Sequence, residues 1–400
     1  MGAMLIQNVR AMQPGEGIVA SSVLIDGGRI TALDPHDVAA DVARFDGDGR
    51  LLTPGLIDVH IHGIEQHFFE QSPEALVAGV ERLPRYGVTT VLPTLYTVMR
   101  RGALPRLEAL GAALDRCRGS SAPGFHLEGP FLALPGAGAA TLPGDLVLLE
   151  EILAAAGKVL AMSVSPDTPG ILPLIQRLRE RGITVFLTHT RASVEQTTAA
   201  IDAGARHATH FYDVFPLPQE TDPGVRPVGA VETILADPRV TVDFIADGVH
   251  VHPMAIKAAL AAKGRRGVIL ITDANVGAGL PAGTYDTTWG YRVKVSPSNA
   301  ARIDLPGDPR DGGLAGSALT MNVGMSNLLR WLDLPAHDVW AIGSANTARM
   351  LGMSDRGELR VGASADLVLW DQGGTALSAV RTWVGGQCVH EQQTQERVCP

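Results

Sequence analysis

Leu51-Leu52-Thr53-Pro54-Gly55-Leu56-Ile57-Asp58-Val59-His60-Ile61-His62-Gly63 is the stretch whose reading decides the fold. A Pro-Gly turn leads into a short aliphatic run, which two histidines close one residue apart. Residues i and i+2 of a strand share a face, so His60 and His62 are expected to project together from a strand end. Two neutral imidazoles converging on one point suit a transition metal such as zinc. Taken alone, His-X-His is equally two unrelated strand histidines, so the metal reading requires further ligands elsewhere.

Working outward, the segment 54–351 alternates apolar, strand-like runs with Ala- and Leu-rich helical stretches. The strand candidates are 56–60, 89–93, 124–127, 159–164, 184–188, 208–210, 240–246 and 268–272. Helical stretches include 73–86, 104–117, 171–181, 194–203 and 253–263, and a final pair at 319–332 and 338–351 precedes a return to strands. Eight β-then-α units point to a closed parallel barrel. The competing open doubly wound sheet would carry Gly-X-Gly-X-X-Gly after its first strand, and this chain does not. The ends differ from the middle. Short strands at 5–9, 22–25 and 29–33, with an Asp26-Gly27-Gly28 turn, match strands at 365–370 and 380–384 around Gly385-Gly386. The expected organisation is one β module from 1–53 and 352–400, with the barrel between.

Composition agrees with a 400-residue enzyme-sized chain. Hydrophobic residues are 46% and aromatics 5%, giving a mostly aliphatic core. Formal net charge is 33 − 42 = −9, which argues against nucleic acid or an anionic membrane as partner. No apolar run is long enough to span a bilayer, and no signal peptide is evident. Cys117, Cys388 and Cys399 lack metal or disulfide spacing and read as free thiols in a reducing cytoplasm.

The C-terminal strand ends of a barrel form its active face. His60 and His62 fall there after strand one, His126-Leu127-Glu128 after strand three, and His189 after strand five. His210 falls on strand six, His250 after strand seven and Asp273 after strand eight. A buried charge is costly unless it is paired or metal-bound, and independent accidents would not favour one rim. By type, His60, His62, His189 and His210 supply imidazole nitrogen, and Glu128 supplies a carboxylate that could bridge two metals. His126 is read as core. Asp273 suits a general base, taking a proton from metal-activated water and returning it to the leaving amine. His250 suits a hydrogen bond to a substrate carbonyl.

These residues resemble the amidohydrolase superfamily and, within it, the N-acetylglucosamine-6-phosphate deacetylases. The marks run over nearly the whole chain: Pro54 to Gly63, His126-Leu127-Glu128-Gly129-Pro130-Phe131, Ala246-Asp247-Gly248-Val249-His250-Val251-His252, Thr272-Asp273-Ala274, Ala278-Gly279-Leu280-Pro281-Ala282-Gly283-Thr284-Tyr285, Leu314-Ala315-Gly316-Ser317-Ala318-Leu319-Thr320 and Ala363-Ser364-Ala365-Asp366-Leu367-Val368. The resemblance implies a TIM-like (β/α)8 barrel with a small β-sandwich built from both termini. It implies one metal on Glu128, His189 and His210, a second on His60 and His62, Asp273 as acid/base, His250 as a substrate contact, and a homodimer.

The departures touch the substrate side. The family usually has a basic stretch ending in Gly-Ala-His after Phe131; here it is Ala133-Leu134-Pro135-Gly136-Ala137-Gly138-Ala139-Ala140. Asp213-Val214 stands where the family has Asn-Ala, and Gln219-Glu220-Thr221-Asp222-Pro223-Gly224 stands near its phosphate-binding His-Arg pair. Ile64-Glu65-Gln66-His67 replaces a Gly-rich turn. Arg191 and Arg226 are new cations able to clamp an anion. The expected substrate side is therefore His250, Arg191, Asp213, Ala140, Leu314 and Arg226. The expected activity is zinc-dependent removal of an acetyl group from an N-acetyl amino sugar or related N-acyl amine, with the phosphate cradle lost. The alternatives are N-acyl amino acid deacylation, cyclic amide hydrolysis, and a catalytically silent binding barrel.

Overall fold

The computed structural model describes residues 2–136, 138–298 and 300–392. Eight parallel strands in consecutive order form the barrel: Leu56–Ile61, Val88–Leu95, Phe125–Glu128, Val159–Val164, Thr184–Leu187, Ala205–Ala208, Thr241–Ile245 and Val268–Ile271. They are numbered one to eight here in that order. Closure between the eighth and first strands is made just beyond their ends. The Asp273 N–H donates to the His60 carbonyl at 2.8 Å, and the His62 N–H donates to that of Ala274 at 2.8 Å. The buried Asp58 carboxylate adds a bond from the Thr272 hydroxyl at 2.6 Å. The seam of the barrel is therefore fastened at the residues that carry the histidine pair and Asp273.

The helices form where apolar spacing and caps agree. Ser193 and Gln196 make a reciprocal capping box at the start of Val194–Ala203. The helices Pro73–Arg82, Leu104–Ala113, Ile171–Glu180 and Pro253–Lys263 follow the expected stretches, the first two ending in short 3-10 turns. Leu107, Leu110, Leu174 and Leu178 from these faces are buried against the strands, each contributing roughly 1.5–3 kcal/mol.

Two sequence expectations need correcting, and one set of strands was not anticipated. Strand six ends at Ala208, so His210 lies in the turn beyond it. The stretch 338–351 is two helices, Ala336–Ile342 and Ala345–Met350, broken at Gly343, where a Cβ would come 2.7 Å from the Met325 sulfur. Between strand eight and the last helices lies an antiparallel meander of four strands, Gly283–Asp286, Arg292–Val295, Ala300–Asp304 and Leu314–Ser317. Unlike an equally short barrel strand such as Val268–Ile271, which is a buried apolar run, Gly283–Asp286 and Arg292–Val295 carry an exposed polar residue at every other position, so no apolar run marks them.

The two ends of the chain share one mixed sheet. Leu51–Pro54 pairs parallel with Met4–Gln13 and antiparallel with Leu367–Asp371. Around it Ile6, Val9, Leu52, Leu367 and Trp383 make a separate small core. Cys117 and Cys388 are free thiols; Cys399, with the rest of 393–400, lies outside the described residues. Among the described residues no helix is long and apolar enough to cross a membrane.

Candidate metal centre and active site

Glu128 is the centre of the site. Its Oε1 lies 3.1 Å from His189 Nε2 and 3.0 Å from His210 Nε2. Its Oε2 lies 3.4 Å from His62 Nε2 and 3.8 Å from His60 Nε2. Asp273 faces the same pair, its Oδ1 3.2 Å from His62 Nε2 and 3.4 Å from His60 Nε2. The five expected ligands and Asp273 are all buried and converge at one point of the rim. The donor atoms of His60, His62 and Asp273 lie within 4.8 Å of one another, and so do those of His60, Glu128 and His210.

The outer hydrogen bonds orient these rings. His62 Nδ1 faces the Thr94 carbonyl at 3.2 Å and His210 Nδ1 that of Asp213 at 3.3 Å. A carbonyl only accepts, so each Nδ1 carries the hydrogen and each Nε2 presents a lone pair. His60 Nδ1 meets the Thr209 hydroxyl at 3.3 Å, and that hydroxyl donates to Asp243. Here too the ring must donate through Nδ1. His60 Nε2 is buried with no hydrogen-bond partner among the described residues. Lone pairs facing carboxylate oxygens at such distances repel unless a cation lies between them. Without a metal, protons must serve. Burial opposes an imidazolium at His210, yet the hydrogen-bonded Glu128 pushes its pKa up to about 10. Burial would raise Asp273, but the His60 and His62 rings beside it hold it well below the usual carboxylate range. A nitrogen and oxygen set of this kind fits a divalent metal ion.

Backbone strain is concentrated at the same place. His189, His210 and Asp273 have φ of 49°, 35° and 48°. This left-handed region costs a non-glycine residue roughly 1–3 kcal/mol, and here it turns three side chains from strand ends into the cavity. Gly136 packs against the His189 ring, where a Cβ would come 2.2 Å from Cε1. His126, by contrast, is core: its ring nitrogens bond the Val59 carbonyl at 2.8 Å and the Ser163 hydroxyl at 2.7 Å.

The candidate metal-ligating residues line a cavity of about 520 Å³. Its walls include His250, Asp213 and Leu314, as expected, and Gly136 and Val214 from the departing stretches, with Tyr96, Ile303 and Arg310, which sequence reasoning did not single out. His250 is held by Asp247, Nδ1 to Oδ2 2.7 Å. Burial opposes its protonation, and that carboxylate more than offsets the effect, raising its pKa. Arg191, Arg226 and Ala140 do not line the cavity. Arg226 is exposed and paired with Glu232 at 2.6 Å, while Arg191 is an exposed residue whose backbone N–H donates to Asp167. The cation that does reach the mouth is Arg310. It comes from the meander, and Asp308 takes its guanidinium at 2.8 and 3.0 Å. A tyrosine directly after the second apolar run was the one sequence signal available for Tyr96.

A parallel barrel whose rim gathers four histidines and two carboxylates is the arrangement of a metal-assisted hydrolase. The amidohydrolase family model matches residues 51–391. An N-acetylglucosamine-6-phosphate deacetylase from Bacillus subtilis (strain 168) is 32% identical, the match covering 92% of this chain and 93% of that one. An N-acetylgalactosamine-6-phosphate deacetylase from Escherichia coli O157:H7 is 31% identical over 91% and 93%. Among solved structures, an N-acetyl-D-glucosamine-6-phosphate deacetylase variant from Mycobacterium smegmatis, bound to N-acetyl-D-glucosamine-6-phosphate, superposes with a TM-score of 0.82 at 26% identity. It covers 97% of this chain and 100% of that one. The chain belongs to the amidohydrolase family and, within it, to the N-acetylglucosamine-6-phosphate deacetylase family. It is a hydrolase acting on carbon–nitrogen bonds other than peptide bonds.

Proposed function

We propose that the protein removes the acetyl group from an N-acetyl amino sugar or a closely related N-acyl amine, using zinc, as a cytoplasmic homodimer. The observation that carries this reading is the division of Glu128 between two histidine pairs, with Asp273 opposite. Glu128, His189 and His210 would hold one ion, and His60 with His62 a second. When bound, the metal supplies Lewis-acid polarisation of the amide carbonyl and acidifies water. The chain supplies the rest. Asp273 takes a proton from the attacking water and delivers it to the departing amine nitrogen. His250, fixed by Asp247, offers its other ring nitrogen to the substrate. Leu314 and Val214 give the sugar or acyl group apolar walls.

The cavity is poorly equipped for a phosphate dianion. Asp213 lines it, and the guanidinium of Arg310 is already shared with Asp308. An unphosphorylated N-acetyl sugar therefore suits it better than the 6-phosphate. An N-acyl amino acid is the second reading, favoured by a single arginine at the mouth. Acetate release by the zinc-loaded protein from N-acetyl-D-glucosamine, its 6-phosphate and a panel of N-acetyl amino acids separates these. Efficient turnover of the 6-phosphate alone would show that a phosphate site exists after all.

A further inference from the structure

Tyr96 occupies a built position beside the metal cluster. It follows the second barrel strand, where the fully buried Glu70 carboxylate accepts the N–H groups of Tyr96 at 2.7 Å, Thr97 at 2.9 Å and Val98 at 3.4 Å, and the Thr97 hydroxyl at 2.7 Å. A buried carboxylate closing on three consecutive N–H groups clamps the turn. The Tyr96 ring meets the His62 ring edge to face, centroids 4.8 Å apart. Only 6% of the residue is exposed, and it lines the cavity close enough to Glu128 and Asp273 to feel their charge. A phenol keeps its proton at neutral pH and can donate it in a hydrogen bond. The hydroxyl makes no hydrogen bond among the described residues, and the residue lines the cavity. Of the other donors, Arg310 is engaged by Asp308, and His250, its Nδ1 held by Asp247, has only its second ring nitrogen to offer the substrate. The facing wall, Pro135, Gly136 and Ala139, has no side-chain donor.

We propose that Tyr96 is a catalytic residue whose hydroxyl donates a hydrogen bond to the carbonyl oxygen of the scissile amide as that oxygen becomes an oxyanion. This rests on the amide-hydrolase reading above. Water forms its bond to the carbonyl carbon, and the C=O π pair moves to oxygen. Tyr96 keeps its proton throughout. The pair then returns, the C–N bond breaks, and the amine leaves with the proton carried by Asp273. The donor is fixed in advance by Glu70, so little reorganisation is needed as charge develops.

The test is Tyr96→Phe in the zinc-loaded full chain, with Glu70→Gln as a second variant that keeps the phenol but loosens its clamp. Two readouts are used: acetate release from whichever of N-acetyl-D-glucosamine and its 6-phosphate the wild type hydrolyses, and calorimetric binding of methylphosphonate, a tetrahedral anion, beside planar acetate. Tyr96→Phe is expected to lower kcat about 10- to 100-fold, with KM within about twofold and zinc content unchanged. Methylphosphonate binding should weaken at least about fivefold and acetate binding less than about twofold, following the tetrahedral charge. Glu70→Gln should lower kcat by a smaller factor. Unchanged kcat, or equal loss for both probes, or a wild type that does not prefer methylphosphonate, overturns the proposal. If the wild type hydrolyses neither sugar, the reading under Proposed function fails, and the methylphosphonate comparison alone still decides Tyr96.

Discussion

Asp273 and Glu128 do different work although both are buried carboxylates at strand ends. Asp273 meets only the His60–His62 pair, whereas both oxygens of Glu128 are engaged, one with each histidine pair. Asp273→Asn should therefore keep most of the bound metal and lose about 10²- to 10⁴-fold in kcat, the usual worth of a positioned acid/base. Metal analysis beside steady-state kinetics checks it. Glu128→Ala should lose metal together with activity, and full metal occupancy in that variant would contradict its role as a ligand. At the mouth, Arg310→Ala should raise KM several-fold for an N-acyl substrate bearing a carboxylate, and Arg191→Ala should change it by less. These residues differ in how legible they were. Each candidate ligand lies within one or two residues of its own apolar run, so residue type and position made it visible in the sequence. Tyr96 and Arg310 are aimed by Glu70 and by Asp308, and Arg310 also needs the meander fold to reach the cavity.

Among the elements, the turns after the barrel strands carry the strain. The loop through Gly136 closes on the His189 ring, so Gly136→Ala should displace that imidazole and weaken metal binding while leaving the barrel folded. A chelator titration read against circular dichroism separates the two effects. The helix Val194–Ala203 depends on a local device, the Ser193–Gln196 box, and Ser193→Ala should cost about 1 kcal/mol in thermal or chemical unfolding. That helix was fully visible in the sequence because its cap and apolar spacing agree. The meander was not, because its short strands are half exposed and polar and take their pairing from neighbours. Its last strand docks on the loop after strand eight: the Ser317 N–H donates to the Asp273 carbonyl at 2.8 Å. Gly316 there has φ of 57°, and a Cβ would come 2.8 Å from that same carbonyl oxygen.

Across the whole molecule, the metal site and the barrel seam are one structure. The Asp273 N–H bonds the His60 carbonyl, so the strands that close the barrel also present ligands to the site. Metal should thus stabilise the fold globally, by about 2.7 kcal/mol when free metal is a hundred times its Kd. Chelation should lower Tm measurably in the wild type and leave Glu128→Ala unmoved. The β module is locked to the barrel in the same manner. Trp370, fully buried and fixed within the module by its bond to the Thr53 hydroxyl at 2.8 Å, lies over Gly87 of the barrel, where a Cβ would come 2.0 Å from its ring. Trp370→Ala should cost about 3–5 kcal/mol and open both units together.

By itself the sequence determined the alternating strands and helices, the parallel barrel, the sheet shared by both ends, and the histidine and carboxylate types along the rim. Those features rest on periodicity and on side chains adjacent to their own strands, which are local properties. Only the tertiary structure decided that Glu128 lies between two histidine pairs, that His210 sits beyond its strand, and that Tyr96 and Arg310 rather than Arg191 and Arg226 line the cavity. These depend on barrel closure, on left-handed turns and on contacts spanning up to a few hundred residues, and no local pattern encodes such distances.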